Sequence, residues 1–257
     1  MDYNKLKEQY RNEFDPAVYP ELVRAYLELY MFYQRQLHDI VKTGILKDGG
    51  TLLEYGCGPT PFSLFPMTKK FHEAVLCEYL EQNRRALQKW VDKDADALDW
   101  SLLAKSQAQL EGFGDVNSGS SEVQERTRKA IKHIIPCDVF DVTVMPQEYR
   151  VEYDVLLSSL CFESATVDLD GYNTAISNVC KLVKPGGVVI QCGVLGCKEY
   201  TVGKAVFGAM FLTKEIIATA FKSAGFEIQR WEQDEPKTIV GYDYKYDGGF
   251  VVVAKKL

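Results

Sequence analysis

The amino-acid sequence predicts an α/β protein whose centre is a doubly wound, mostly parallel sheet of about seven strands. Short apolar runs alternate with segments of helical periodicity over most of the chain, as in strands joined by crossover helices. The first run, GGTLLEYG at residues 49–56, passes into a glycine-rich turn, as the opening strand of such a sheet does. The last two apolar runs, residues 225–233 and 248–257, have no helical segment between them, which predicts an antiparallel final pair.

The other elements follow from the same patterns. The first fifty residues predict helices, because apolar side chains recur at helical spacing from Leu22 to Ile45 after a turn at Asp15 and Pro16. Residues 111–121, EGFGDVNSGSS, are rich in glycine and serine and predict a surface loop. We expect the following further elements in chain order: a second strand at 73–79, a helix at 80–91, a third strand end at 137–142 that residues 127–135 approach through Pro136, a fourth strand at 152–162, a helix from Gly171 to Leu182, a fifth strand at 183–194 and a helix from Thr213 to Ala224.

Composition narrows the class of protein. The chain has 257 residues, of which 46% are hydrophobic, so we expect one large domain rather than a disordered chain. The net charge of -6, with scattered basic residues, argues against a nucleic-acid partner. Seven cysteines without a C-x-x-C pair and only three histidines predict no metal site. A polar N-terminus and the lack of an apolar run of about 18 residues predict a cytoplasmic protein without a membrane partner.

Acidic and glycine residues stand at the end of the first predicted strand, where doubly wound sheets bind their ligands. Glu54, Gly56 and Gly58 form an E-x-G-x-G string, with Thr60 where a dinucleotide fingerprint carries another small residue. Glycine lets the backbone turn tightly and approach a ligand closely. An acidic residue before the glycines does not favour a pyrophosphate, which binds the amides at a helix N-terminus. We therefore expect Glu54 to suit a zwitterion or a cation.

The second and third predicted strand ends carry groups suited to a nucleoside. Glu78 ends the second strand, where a carboxylate accepts hydrogen bonds from ribose hydroxyls, and Asn83 follows five residues later. Asp138 and Val139 pair a carboxylate acceptor with an apolar neighbour, a combination suited to an adenine amine and ring face. Together these positions predict an adenosine-type ligand without phosphates.

These motifs resemble those of a known family. The E-x-G-x-G string, the acidic second strand end and the K-P-G-G before the fifth strand are similar to class I methyltransferases that use S-adenosylmethionine. More narrowly, the chain from about Tyr10 onward resembles the family of nicotinamide, phenylethanolamine and indolethylamine N-methyltransferases, through the ordered strings LLEYGCGPT, EYLEQN, SSLCFESA, DLDGY and LVKPGG. The resemblance implies a Rossmann-like class I fold of seven strands with an antiparallel C-terminal strand, an N-terminal helical cap at residues 1–48 and a core at 49–257, in a monomer.

The resemblance also implies residue roles. It assigns cofactor binding to Tyr10, Tyr19, Gly56, Gly58, Phe62, Glu78, Asn83, Asp138, Val139 and Ser159. Two N-terminal tyrosines of the family cap the cofactor, and Gly56 approaches its methionine part. Substrate binding is assigned to Leu160, Glu163, Gly193 and Tyr200, of which Glu163 and Tyr200 are the expected catalytic residues. The implied cofactor is S-adenosylmethionine, the implied partner is a small-molecule nitrogen acceptor, and no metal is involved.

Three positions bear on which acceptor is used. Phe62 stands where the family usually has tyrosine, so an aromatic wall remains and a hydroxyl is lost. Gly193 stands where the nicotinamide enzymes carry an aspartate that binds the carboxamide, which the amine-methylating relatives lack. Glu163 stands where those relatives carry an acidic residue near the substrate, suited to an ammonium group.

Several functions remain open from the sequence alone. The acceptor is either a pyridine such as nicotinamide or a small primary or indole-type amine. A nicotinamide-dependent oxidoreductase is the alternative enzyme class, which Glu54 and the incomplete fingerprint disfavour. A catalytically inactive cofactor-binding homologue is the third possibility, because a fold does not guarantee an activity.

Overall fold

The structure, a computed structural model, describes residues 3–238 and 245–257. Its strands are β1 Leu52–Tyr55, β2 Ala74–Glu78, β3 Ile131–Pro136, β4 Tyr153–Ser159, β5 Val183–Leu195, β6 Glu199–Val202, β7 Ala205–Gly208, β8 Phe226–Gln233, β9 Lys237–Thr238, β10 Lys245–Tyr246 and β11 Gly248–Lys256. Its helices are α1 Tyr3–Glu13, α2 Tyr19–Ala25, α3 Leu27–Lys42, α4 Leu64–Met67, α5 Glu81–Asp92, α6 Ser101–Leu110, α7 Val116–Ala130, α8 Phe162–Ala165, α9 Leu169–Val179 and α10 Lys214–Ser223.

The central sheet has seven strands in the order β3-β2-β1-β4-β5-β11-β8. The first five strands of this order pair in parallel, and β11 pairs antiparallel with both β5 and β8. The predicted fold class is therefore confirmed, including the antiparallel C-terminal strand. The strand order reverses between β1 and β4, and ligands of doubly wound sheets bind at the carboxyl ends of the strands near such a point.

Each face of the sheet is covered by its own hydrophobic core. Successive side chains of a strand point to opposite faces, so Leu52 packs with α3 residues such as Leu37, whereas Leu53 packs with α9 residues such as Ile176. None of the helices in the described ranges has the length and apolar content needed to cross a membrane.

Helix α1 lies across the carboxyl ends of the strands as part of the predicted N-terminal cap. Its Tyr3 hydroxyl donates to Asp168 Oδ1 at 2.8 Å, and its Tyr10 hydroxyl donates to the Ser164 carbonyl oxygen at 2.9 Å. These contacts join α1 to the segment that follows β4, so α1 covers the space at the carboxyl ends of the strands.

The surface loop predicted at residues 111–121 is wrong over its second half. Helix α7 begins at Val116, because the Asp115 side chain accepts a hydrogen bond from the Asn117 amide at 3.0 Å and so caps the helix. Gly119 is buried inside this helix, and a Cβ there would lie 2.5 Å from Cγ of Phe113. Glycine is therefore present for close packing rather than for a turn.

The third strand also ends earlier than predicted. Strand β3 stops at Pro136, and residues 137–142 follow it as a loop instead of forming the strand end. Proline has no amide hydrogen to continue a ladder and is tolerated on β3 because this strand is at the edge of the sheet. The loop then turns at Asp138, whose Oδ1 accepts from the Phe140 amide at 3.0 Å.

The antiparallel hairpin formed by β6 and β7 was not predicted. Val202 and Ala205 are register partners, and the two residues between them include Gly203 at a φ of 61°. A two-residue hairpin turn commonly requires a positive φ, which glycine adopts at little cost. This hairpin carries Tyr200 toward the carboxyl ends of the strands.

Candidate active site

A cavity of about 220 Å³ lies between the helical cap and the carboxyl ends of the parallel strands. Residues from both ends of the chain line it, which is expected at a switch point covered by an N-terminal cap. The structure brings together at this cavity the following residues singled out in the sequence: Tyr10, Tyr19, Gly56, Gly58, Phe62, Glu78, Asn83, Asp138, Val139, Ser159, Leu160, Glu163 and Tyr200. Gly193 is not among the lining residues.

The turn after β1 has the backbone form that its glycines allow. Gly56 and Gly58 have φ values of 72° and 62°, which L-residues with a Cβ rarely adopt. A Cβ on Gly56 would also collide with the Cys161 sulfur. The Gly56 and Cys57 amides both donate to the Cys77 carbonyl oxygen, at 2.8 and 3.1 Å, which ties the turn to β2. The turn therefore presents bare backbone to the cavity.

Glu78 is held rigidly at the end of β2. Its Oε2 accepts from the Gly58 amide at 3.0 Å, and its Oε1 accepts from the Leu80 amide at 2.9 Å and from Asn83 Nδ2 at 3.2 Å. Burial raises the pKa of this carboxyl, while the hydrogen bonds from Leu80 and Gly58 act in the opposite direction. A fixed, nearly buried carboxylate facing a cavity is well placed to accept hydrogen bonds from ligand hydroxyls.

The predicted adenine end contains a partner that the sequence did not reveal. Asp138 Oδ2 accepts a hydrogen bond from Lys7 Nζ of α1 at 2.5 Å, in a half-exposed ion pair. The Lys7 ammonium also lies 5.3 Å from the centre of the Phe140 ring. Val139 lines the cavity next to this pair. Lys7 is one of many lysines in the sequence, and no pattern marks it, because its contact spans 131 positions along the chain.

Aromatic side chains from the cap form one wall of the cavity. The Tyr10 hydroxyl forms a short hydrogen bond with the Tyr200 hydroxyl, so α1 meets the β6–β7 hairpin directly. The Tyr30 hydroxyl donates to the Tyr19 hydroxyl at 3.2 Å, and the Tyr30 ring packs edge-on against Phe62 at 4.9 Å. Tyr30 was not predicted as a lining residue, although its spacing in the sequence places it on an apolar helix face.

Glu54 was expected to suit a zwitterionic or cationic ligand. In the structure it is not among the residues that line the cavity. Its side chain is fully buried under the glycine turn, where Oε1 accepts a short hydrogen bond from the Ser63 hydroxyl. Burial raises the pKa of this carboxyl to about 8. Glu54 therefore joins β1 to the start of α4 as a carboxylic acid at neutral pH.

Between pH 5 and pH 8, we expect the free energy of unfolding to fall less in Glu54→Gln than in the unmodified protein. A carboxyl whose pKa is raised in the folded state stabilises the fold below its unfolded value of 4.5, and this contribution is lost as the pH rises through about 8. Glutamine stays neutral and keeps the size of the side chain. Urea midpoints at the two pH values test this, with the exposed Glu227→Gln as control. An unchanged pH difference in Glu54→Gln would contradict the buried-acid assignment.

Among the described lining residues, Glu78 and Glu163 carry the two buried carboxylates. Glu163 lies on the other side of the cavity from Glu78. It is 1% exposed, and burial raises its pKa to about 7. Its Oε1 accepts from the Val194 amide at 3.2 Å, and the nearby Gln191 side chain lowers the pKa of the carboxyl against the effect of burial. Its Oε2 makes no hydrogen bond in the described part of the chain. A buried carboxylate oxygen without a partner is costly, and a ligand donor would satisfy it.

Leu160 turns the chain from β4 into the helix that carries Glu163. Its φ of 55° lies in the left-handed region, which is strained for a residue with a branched side chain. Its amide donates to the Cys192 carbonyl oxygen at 2.8 Å, which holds this conformation. Strained backbone of this kind recurs at functional sites, and here it aims Leu160 and Glu163 at the cavity.

Gly193 lies behind Glu163 on β5. A Cβ at this position would stand 2.5 Å from Glu163 Oε1 and 2.7 Å from a ring carbon of Phe250. The space that a larger side chain would occupy is therefore filled by Glu163 and Phe250.

The fold is that of class I S-adenosylmethionine-dependent methyltransferases. The structure of magnesium protoporphyrin IX methyltransferase from Synechocystis PCC 6803 with bound SAM matches with a TM-score of 0.58 and 11% identity, covering 100% of this chain and 98% of that one. A second methyltransferase structure, from Methanosarcina mazei, matches with a TM-score of 0.56 and 15% identity, covering 82% and 94%. At these identities the likeness shows the fold alone.

Sequence comparison identifies the family. A sequence model of the NNMT/PNMT/TEMT family matches residues 5–257. The chain is 32% identical over 212 residues to nicotinamide N-methyltransferase of Sus scrofa, covering 81% of this chain and 78% of that protein. It is 28% identical over 256 residues to indolethylamine N-methyltransferase of Mus musculus, covering 97% and 95%. The chain therefore belongs to the NNMT/PNMT/TEMT family and is an S-adenosylmethionine-dependent small-molecule N-methyltransferase. This result favours the methyltransferase over the nicotinamide-dependent oxidoreductase.

Proposed function

We propose that this enzyme methylates the nitrogen of a small primary or indole-type alkylamine, with Glu163 as the group that binds the amine and accepts its proton. The single observation that carries this proposal is that Glu163 lines the cavity and has one buried carboxylate oxygen, Oε2, without a hydrogen bond in the described residues. An ammonium or amine hydrogen would satisfy this oxygen with a charge-assisted bond.

The charges around the cavity support a basic acceptor. Glu199 lies on the same side of the cavity as Glu163, on the hairpin that carries Tyr200. Lys7 is the cationic side chain that the described residues contribute to the lining, and it is engaged by Asp138 at the other end. An anionic acceptor would thus meet carboxylates without a counter-charge, whereas a cationic amine is attracted.

The residues at the other end of the cavity fit the cofactor of this class. Asn83 Oδ1 and Ser159 Oγ are buried in the lining without a hydrogen-bond partner among the described residues, as expected for groups that a ligand completes. We propose that Glu78 and Asn83 hold the ribose, Asp138 and Val139 frame the adenine, and the turn at Gly56 and Gly58 receives the methionine part, under Tyr10, Tyr19 and Phe62. S-adenosylmethionine supplies an electrophilic methyl group when it is bound.

The raised pKa of Glu163 suits the proton balance of amine methylation. An alkylamine is an ammonium in solution, and its lone pair becomes available only after it loses a proton. A carboxyl with a pKa of about 7 is a stronger base than an ordinary glutamate, and about half of it is ionised at neutral pH. Glu163 therefore binds the ammonium and takes one proton. In-line transfer would require the cavity to hold the neutral nitrogen at about 3 to 3.5 Å from the methyl carbon that the cofactor would supply.

A pyridine acceptor is the second candidate, because one similar protein is named nicotinamide N-methyltransferase. A pyridine nitrogen has no proton to lose, so it gives Glu163 no role as a base. The aspartate that the resemblance assigns to carboxamide binding is Gly193 here, and that position is filled by Glu163 and Phe250. We therefore propose that nicotinamide is a poorer acceptor than an alkylamine.

We expect Gly193→Ala to lower the free energy of unfolding by about 1–3 kcal/mol, because the added methyl group overpacks the site between Glu163 and Phe250. It should also lower methylation of amines, since Glu163 has to move. Gly44→Ala is the matched control, because a Cβ there meets nothing within 4 Å and no stability should be lost. Urea unfolding of both variants checks this, and a Gly193→Ala protein as stable as Gly44→Ala would contradict the described packing.

The acceptor class is tested by product detection with labelled methyl donor. Purified protein is incubated with a panel of pyridines, primary and indole-type alkylamines and small thiols, and the methylated atom is located by mass spectrometry. Transfer to the nitrogen of alkylamines is expected. Transfer to a thiol or to a pyridine alone would overturn the proposal, and binding of S-adenosylhomocysteine without transfer to any acceptor would identify an inactive homologue.

A further inference from the structure

Two hydrogen bonds converge on one peptide group behind the cavity. The hydroxyl of Tyr33, on α3, donates to the Gly193 carbonyl oxygen at 2.8 Å. The Val194 amide donates to Glu163 Oε1 at 3.2 Å. The Gly193 carbonyl and the Val194 amide belong to the same peptide bond, so Tyr33, this peptide and Glu163 form a continuous hydrogen-bonded chain.

We propose that Tyr33 is a positioning residue for methyl transfer, which orients and strengthens the hydrogen bond from the Val194 amide to Glu163. The proposal rests on the proposed function in one respect, since it takes Glu163 as the group that meets the amine. Tyr33 itself is fully buried and is not part of the cavity wall, so it acts through the peptide and not on a ligand.

The end of β4 explains why the Val194 amide is free for this purpose. The last register pair between β4 and β5 joins Ser159 to Cys192, and the next residue, Leu160, turns away with its positive φ. No β4 residue therefore stands opposite Val194. The Glu163 carboxylate takes the place of the missing ladder partner and is held there by the backbone of β5.

Two glycines make room for the chain of hydrogen bonds. A Cβ on Gly193 would stand 2.5 Å from Glu163 Oε1, and a Cβ on Gly249 of β11 would stand 3.3 Å from the Tyr33 hydroxyl. Gly249 is the register partner of Val194. The absence of side chains at both positions lets Tyr33 reach the peptide from one side and Glu163 from the other.

A donor to a peptide oxygen polarises the peptide and makes its amide a better donor. The Tyr33 hydroxyl therefore favours the ionised form of Glu163, which is the form that accepts a proton from an ammonium. The carboxylate of Glu199 lies on the same side of the cavity as Glu163. The other titratable groups around Glu163 are tyrosines and thiols, namely Tyr19, Tyr33, Tyr172, Tyr200, Cys161, Cys192 and Cys197. Burial raises the pKa of each of these tyrosines and thiols, whereas burial brings the pKa of Glu163 to about 7.

The test compares Tyr33→Phe with Tyr153→Phe. Tyr153 is also a buried tyrosine that donates to a backbone carbonyl, that of Tyr149 at 3.0 Å, and it lies outside the cavity lining. The pKa of Glu163 is measured in the protein without acceptor, by carbon NMR of side-chain-labelled glutamate with Glu163→Gln for assignment. Without the Tyr33 hydroxyl, the hydrogen bond from the Val194 amide to Glu163 should lose about 10–30% of its strength, which would raise this pKa by about 0.1 to 0.7. Tyr153→Phe should not change the pKa of Glu163.

Kinetics give a second, independent readout. If alkylamines are the acceptors, Tyr33→Phe should lower kcat/KM for them at pH 6 by up to about fivefold and leave the value at pH 9 nearly unchanged. The loss should disappear when Glu163→Gln is present in both proteins, because Tyr33 acts through Glu163. Tyr33→Phe should bind S-adenosylhomocysteine with the same affinity as the unmodified enzyme.

The outcomes separate this proposal from the proposed function. An unchanged pKa of Glu163 in folded Tyr33→Phe, or an equal change in Tyr153→Phe, overturns the role of Tyr33. A raised pKa in a protein that methylates only pyridines supports the hydrogen-bonded chain and overturns the amine acceptor. If Tyr33→Phe does not fold, 3-fluorotyrosine at position 33 replaces it. This stronger donor should lower the pKa of Glu163, and an unchanged pKa would again overturn the proposal.

Discussion

Glu163→Gln is expected to lower kcat/KM for alkylamines by about 10²- to 10⁴-fold, the usual contribution of a proton-accepting group. Glutamine keeps the size of the side chain and can still accept the Val194 amide, but it cannot take a proton from an ammonium. In the unmodified enzyme, kcat/KM for amines should rise with pH as Glu163 ionises around pH 7, because burial raises its pKa to about that value. The inflection near pH 7 should be absent in Glu163→Gln, which keeps only the rise caused by the amine's own loss of a proton.

Nicotinamide provides the internal control for this variant. Its nitrogen carries no proton at neutral pH, so any transfer to nicotinamide should change only by the small amount expected from an altered contact. Glu122→Gln is the matched protein control, since Glu122 is exposed on α7 and away from this cavity. Equal losses with amines and with nicotinamide would contradict an amine-specific role for Glu163.

Glu78→Gln should weaken binding of S-adenosylhomocysteine by about 10- to 100-fold, since hydrogen bonds to a charged group contribute about 1.5–3 kcal/mol each. Both Glu78 oxygens accept backbone amides, from Gly58 and from Leu80. A glutamine would turn its own amide hydrogens toward one of these donors, so the turn after β1 would lose its anchor as the ligand loses a charged acceptor.

Calorimetry with S-adenosylhomocysteine measures this effect directly. Glu81→Gln is the control, because Glu81 begins α5 only three residues later and pairs with Arg85 at the surface. Glu81→Gln should bind S-adenosylhomocysteine with the same affinity as the unmodified protein. Binding by Glu78→Gln that matches the control would mean that Glu78 holds the turn and does not meet the ligand.

The grouping of the proposed cofactor-binding residues at one cavity was predictable because they stand at strand ends. Gly56, Glu78 and Asp138 each follow an apolar run, and the carboxyl ends of parallel strands meet at one edge of the sheet. Their assembly therefore follows from the order of elements alone. The family resemblance added the two capping tyrosines, Tyr10 and Tyr19, which strand patterns do not mark.

Other parts of the site depend on contacts between distant segments, which no local pattern encodes. Tyr33 and Gly193 are 160 positions apart, and their hydrogen bond exists only because α3 packs on the sheet beside β5. The burial of Glu54 away from the cavity was equally hidden, since a carboxylate after a strand is usually exposed to a ligand or to water. The glycine at position 119 was misread because a glycine that serves packing looks like one that serves a turn.

Gly193 illustrates how sequence and structure complement each other. The resemblance identified this position as one that separates acceptors, but it could not say what fills the space left by the missing side chain. The structure fills that space with the Glu163 carboxylate and the Phe250 ring.

A direct competition between two acceptors tests the central claim. The unmodified enzyme is given labelled S-adenosylmethionine with equal concentrations of tryptamine and nicotinamide at neutral pH, and the ratio of the two methylated products gives the ratio of their kcat/KM values. N-methylated tryptamine is expected to predominate, and its share should fall below pH 6 as Glu163 becomes protonated. A predominance of methylated nicotinamide at neutral pH would contradict the central claim.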